Sequence, residues 1–120
     1  MKTTVGSKVH PDYRGIHEWE VRGVAELKQP VRWHDPNPER GDVRYDPKIM
    51  LLEAEGVGKV LWFNYWMSTS KTGEKMRWGG GPPMLEEDAL LELLKGGINK
   101  GLFGKPLLKK LNSELQLALE

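Results

Sequence analysis

The stretch GKVLWFNYWMSTSKTGEKMRWGGGPPMLEEDALLELL, Gly58 to Leu94, decides the fold, because two hydrophobic periods meet inside it. From Lys59 to Thr69 the chain reads as a strand. Successive side chains of an extended strand point to opposite faces, so Leu61, Phe63, Tyr65 and Met67 share one face and Val60, Trp62, Asn64 and Trp66 the other. Ser70-Lys71-Thr72-Gly73 supplies a turn, and Glu74–Trp78 returns as the next strand. Beyond Gly79–Pro83 the period changes: Leu85, Ala89, Leu90, Leu93, Leu94, Ile98 and Leu102 recur at three- and four-residue steps, the stripe of an amphipathic helix. Glu86, Glu87 and Asp88 suit its positive end, and Gly96-Gly97 or Gly101 weakens, kinks or ends it.

Upstream, Lys48–Glu55 and the Gly56-Val57-Gly58 turn add a strand that pairs with Lys59–Thr69 as a hairpin. Between Ile16 and Leu27 apolar Trp19, Val21, Ala25 and Leu27 alternate with Glu18, Glu20, Arg22 and Glu26, the pattern of a half-buried first strand. Pro30, Pro36, Pro38, Gly41 and Pro47 make Lys28–Pro47 a long loop with short extended pieces at Val31–Trp33 and Val43–Tyr45. A second helix starts near Pro106. The expectation is an α+β protein: an antiparallel four-stranded sheet followed by one or two amphipathic helices. Residues 1–104 form the sheet-plus-helix domain and 105–120 a C-terminal helix, with no internal repeat.

A chain of 120 residues supports one core. Apolar residues at 38% and charged residues at 29% are a globular balance. The longest apolar run, Val60–Met67, is too short to span a bilayer, and MKTTVGSKVHPDY has no apolar stretch of signal length. Without cysteine there is no disulfide and no thiolate chemistry. A cytoplasmic protein without cofactor is the expectation, and abundant charge with few Asn and Gln suits a thermophile. The net charge of +1 disfavours nonspecific binding of polyanions by bulk charge, so a nucleic-acid site must be local.

The strand Lys59–Thr69 has aromatic residues on both faces, and one helix covers only one of them. Tryptophans beside Lys and Arg suit single-stranded nucleic acid, because unpaired bases stack on aromatic rings while cations meet the phosphates. The candidates are Trp33, Arg44, Trp62, Asn64, Trp66, Lys71, Lys75, Arg77 and Trp78. A turn centred on Lys71-Thr72 sets Lys75 and Arg77 beside Trp66, with Met76 and Trp78 beside Tyr65 and Met67; a one-residue change in the turn reverses the grouping. The same tryptophans would equally fill a core. Leu108, Leu111 and Leu115 follow a three-four spacing that points to self-association as a homodimer.

The quoted run, through Gly58-Lys59-Val60-Leu61, Tyr65, Gly73-Glu74-Lys75 and Leu85, resembles the Whirly-like single-stranded-DNA-binding fold of the transcriptional positive cofactor family. The resemblance covers roughly a third of the chain. It departs at Gly79–Pro83, where that family shows a Lys-Gly step before its helix. In architecture the chain is also similar to the single-stranded-DNA-binding proteins of the archaeal Thermoproteales. The resemblance implies a curved antiparallel sheet gripping one strand of DNA, with helices forming a dimer.

Two other classes compete with this reading. A metal-dependent or acid–base enzyme would draw on His10, Asp12, His17, Glu18 and His34-Asp35, but their spacing matches no ligand motif, and surface histidines explain them better. The Gly79-Gly80-Gly81 run lacks the Lys-Ser/Thr of a phosphate loop, and no catalytic triad can be assembled, so no enzyme activity and no metal are expected. A protein-interaction module, with the terminal helix and an open aromatic face meeting other chains, is the remaining alternative.

Overall fold

The computed structural model describes residues 4–73 and 75–120. Met1–Thr3, part of the stretch read for export, and Glu74, at the expected start of the returning strand, lie outside the described residues. The chain is α+β, with β1 (Lys8–Val9), β2 (Trp19–Glu26), β3 (Val31–His34), β4 (Asp42–Ala54), β5 (Gly58–Ser68), β6 (Arg77–Trp78), α1 (Glu87–Asn99) and α2 (Lys105–Ala118). All pairings are antiparallel, in the order β1-β2-β4-β5-β6 with β3 also on β4. Among the described residues the sheet therefore has six strands rather than four.

Of the two added strands, β1 lies ahead of β2 and β3 lies in the proline-rich stretch. In that stretch β4 also begins, at Asp42, and runs through Pro47, which stands opposite Tyr65. Pro47 is tolerated because that edge of β4 changes partner around it: β2 pairs up to Lys48 and β3 starts at Tyr45, so no neighbour asks the proline for a ladder donor. In β2 the register slips between Val21 and Gly23. This bulge at Arg22 moves the alternation by one, so Trp19 and Val21 face one side of the sheet and Ala25 the other. The single apolar face expected from Trp19 to Leu27 is divided between two cores.

The first core, on what we term the tryptophan face, joins Val9, Trp19, Val21, Val24, Met50 and Leu52 to Ile16, Val60 and Trp62. Tyr13 packs on Trp19 with ring centroids 5.9 Å apart, so the segment before β2 covers this end of the face. The second core, on the helix face, sets Leu93 of α1 and Leu102 against Ala25 and Ile49. Leu93 is fully buried. α1 is shorter at both ends than the leucine pattern predicts. At its C-terminus Gly101 adopts φ +71°, and the Gly101 and Leu102 amides donate to the Ile98 and Gly97 carbonyls. That pair of bonds is a Schellman cap, which needs a residue at positive φ. α2 follows at once with Pro106 in its first turn and packs on no other described helix or strand.

Candidate nucleic-acid interface

Strand register places the chemistry in cross-strand rows on the tryptophan face. From the core outward these are Val24-Met50-Trp62, Glu26-Lys48-Asn64, Asp46-Trp66-Trp78 and Arg32-Arg44-Ser68. The face thus grades from apolar core to aromatic platform to paired arginines. Trp62 and Trp66 are half-buried and Trp78 is 45% exposed. The Trp62 and Trp78 rings meet edge to face, with centroids 5.6 Å apart at 70°.

Two features of this surface oppose simple folding economy. Arg32 stands directly across from Arg44, and like charges in that position destabilise a sheet. Arg22 pairs with Glu20 and Glu53, and Arg40 with Asp35; Arg32 and Arg44 form no ion pair among the described residues. The second feature is a set of buried polar atoms without a hydrogen-bond partner among the described residues: Arg44 Nε, Asn64 Oδ1 and Trp66 Nε1. Leaving a buried donor or acceptor unpaired costs about 1–3 kcal/mol. All three lie on the tryptophan face of two adjacent strands.

Arg32 and Arg44 line a cavity of about 520 Å³ together with Ser68, Thr69 and Ser70, and Asp42 also lies on its wall. Asp42 is held by His34, with Nδ1 3.0 Å from the carboxylate. Two rows inward Lys48, 1% exposed, places Nζ 2.5 Å from Glu26 and 2.9 Å from Asp46. That ion cluster consumes the lysine's charge. Among the described residues, Arg32 and Arg44 are cations of this face without an ion-pair partner.

Five of the nine candidate residues come together here: Arg44, Trp62, Asn64, Trp66 and Trp78. Arg77 does not, because it pairs with Met67 and shares the helix face, while Trp78 pairs with Trp66. This is the reverse of the grouping that a turn centred on Lys71-Thr72 gives. Among the described residues of the expected Glu74–Trp78 strand, Arg77 and Trp78 pair, whereas Lys75 and Met76 lie ahead of β6. Trp33 pairs with Val43 and also falls on the helix face, at the edge of the sheet. Lys71 is exposed in the turn and Lys75 is exposed ahead of β6. Arg32 was not among the candidates: Val31–Trp33 was read as a short extended piece in a proline-rich loop, and nothing local shows that it pairs with β4 and sets Arg32 across from Arg44. Of the candidate enzyme residues, His10 and His17 stack at 4.4 Å, and His17 Nδ1 lies 2.5 Å from Asp12. Among the described residues no three His, Asp or Glu side chains converge as a metal site.

The helix face carries a second aromatic group. Trp33 and Tyr45 have centroids 5.8 Å apart at 52°, and Tyr45 and Tyr65 4.8 Å apart at 30°. The Met84 amide donates to the Tyr45 hydroxyl at 2.8 Å, and the Tyr65 hydroxyl donates to the Gly79 carbonyl at 3.1 Å. Burial raises the Tyr45 phenol above its ordinary value of 10.0; the Met84 amide opposes the rise and Tyr65 adds to it. The ring stays a neutral phenol at physiological pH.

No protein-family model matches this chain, and comparison with curated proteins and with solved structures gives no significant match.

Proposed function

We propose that the protein binds single-stranded nucleic acid on its tryptophan face, with bases on Trp62, Trp66 and Trp78 and a backbone phosphate on Arg32 and Arg44. The observation that carries this reading is the set of three buried polar atoms without a partner among the described residues, Arg44 Nε, Asn64 Oδ1 and Trp66 Nε1, beside an exposed tryptophan. A guanidinium matches phosphate with parallel N–H donors, and two arginines side by side are stabilised once an anion lies between them. Asn64 and the Trp66 indole offer polar edges to bases stacked beside them. A duplex hides those base faces, so the geometry favours an unpaired strand. The activity is binding, and it agrees with what the positive cofactor resemblance implies while standing on the geometry alone.

Tryptophan fluorescence during titration with oligo-dT, oligo-rU and a duplex, at two salt concentrations, tests the reading. Quenching by single strands and weaker response to the duplex are expected. Trp78→Ala should cost about 1–3 kcal/mol of affinity with an unchanged salt slope. Arg44→Gln should weaken binding to every sequence and lower the slope by roughly one phosphate contact. A parent protein that binds neither single strand at low salt ends this proposal in favour of an interaction module.

The terminal helix supports self-association as a second element of function. On α2, Leu107, Leu111 and Leu115 are 47%, 42% and 51% exposed, whereas Leu108 is half-buried. The exposed stripe proposed for the contact is Leu107, Leu111 and Leu115, with Leu108 beside it. An isolated 14-residue helix is marginal in water, so a second copy packed on this stripe stabilises it.

A further inference from the structure

Opposite the tryptophan face lies a cleft of about 600 Å³ that the nucleic-acid reading does not use. Trp33, Tyr45 and Tyr65 form its aromatic wall, Met84 and Leu85 close it on the side leading into α1, and Glu86 and Asp88 stand on its rim. Successive rings are tilted by 52° and 30°, so the wall curves around the space instead of stacking flat. Both phenol hydroxyls are engaged by backbone, one by the Met84 amide and one by the Gly79 carbonyl, which fixes the rings and leaves their faces as the recognition surface. Arg40 also reaches the cleft, but its charge is offset by Asp35 at 3.9 Å. Glu86 and Asp88 form no ion pair among the described residues. The space is therefore walled by aromatic rings and carries net negative charge at its mouth.

We propose that this cleft binds an organic cation, an alkylated ammonium or guanidinium group held against Trp33, Tyr45 and Tyr65 with Glu86 and Asp88 beside it. Aromatic faces carry negative electrostatic potential, and a poorly hydrated cation loses little solvation on approaching them. Carboxylates at the rim select against the anionic ligands that the opposite face favours. A neutral apolar ligand would fill the same volume without drawing on either charge feature. The cation thus accounts for the walls and the rim together.

Choline and its uncharged carbon isostere 3,3-dimethylbutan-1-ol separate charge from size. Calorimetric titration of the intact protein should show saturable binding of choline and at least tenfold weaker binding of the isostere. Glu86→Gln with Asp88→Asn, both at exposed positions, should fold normally by circular dichroism and weaken choline at least threefold. Trp33→Ala should weaken it tenfold or more, while Trp78→Ala, on the other face, should leave it unchanged. A trimethyllysine peptide that binds more tightly than choline would assign the cation to a protein side chain; a weaker one would assign it to a free small molecule. Equal affinity for choline and the isostere, or binding of neither, overturns the proposal. These readouts involve no oligonucleotide, so failure of the strand-binding reading leaves them intact.

Discussion

At residue scale the opposed arginines give the sharpest conflict between stability and the proposed function. Arg32 faces Arg44 across adjacent strands, and replacing the outer one by a β-branched neutral residue removes the repulsion and suits the strand. Arg32→Thr should raise unfolding stability by about 0.2–1 kcal/mol in a urea titration while weakening single-strand affinity. If the variant is less stable, the two side chains do not repel as the register implies. Asn64 makes the companion case. Its Oδ1 is buried with no partner among the described residues, and its amide reaches the Trp62 carbonyl only at 3.5 Å, beyond a good hydrogen bond. Buried polar groups are normally paired, and these exceptions sit together on the face with the exposed tryptophan.

At the scale of elements, the sheet and α1 were legible in the sequence because each follows one period over enough residues to be unambiguous. β5 stands within one residue of the alternation read from Lys59 to Thr69, and α1 lies inside the leucine stripe of Leu85–Leu102, shorter at both ends. What sequence concealed were single-residue shifts in register. The bulge at Arg22 divides β2 between two cores, and the turn after β5 brings Trp78 rather than Arg77 beside Trp66. Both faces of β5 are aromatic, so hydrophobic pattern alone could not fix which returning residue belonged to which face. Pro47 hid the start of β4, because the change of neighbour that admits a proline there is a tertiary fact. Gly79 shows how tightly the resulting register is held. A Cβ on it would sit 1.7 Å from Tyr65 Cε2, and the Gly79 amide donates to the Tyr65 carbonyl at 3.0 Å. Gly79→Ala should destabilise the fold by about 1–3 kcal/mol, the cost typical of overpacking. It should also weaken choline, since Tyr65 must leave its place in the cleft. Unchanged stability would mean that β6 and the ring can part without loss.

At the scale of the whole molecule, the two sheet faces are chemically opposed, one aromatic with unpaired arginines and one aromatic with acids at the rim, while α2 stands apart from both. If α2 pairs two copies, each assembly holds two of the faces proposed to bind a strand, and on that proposal the second is engaged at the effective concentration set by the first. Affinity must then depend on oligonucleotide length in a way that a single face cannot produce. An oligonucleotide within one site, about 4–16 nucleotides for sheet-based strand binders, engages one copy only. A strand several times longer reaches both faces and gains by avidity, up to 10²-fold or more where the geometry permits. Leu111→Glu with Leu115→Glu places charge on the exposed stripe without touching the sheet or either core. Sedimentation should show the parent as a dimer and this variant as a monomer. The variant should bind short oligo-dT as the parent does and lose affinity only for the long strand. A parent that sediments as a monomer at high micromolar concentration removes α2 as the contact. A dimeric parent whose affinity is the same for short and long strands would mean that its two faces cannot be spanned by one nucleic acid.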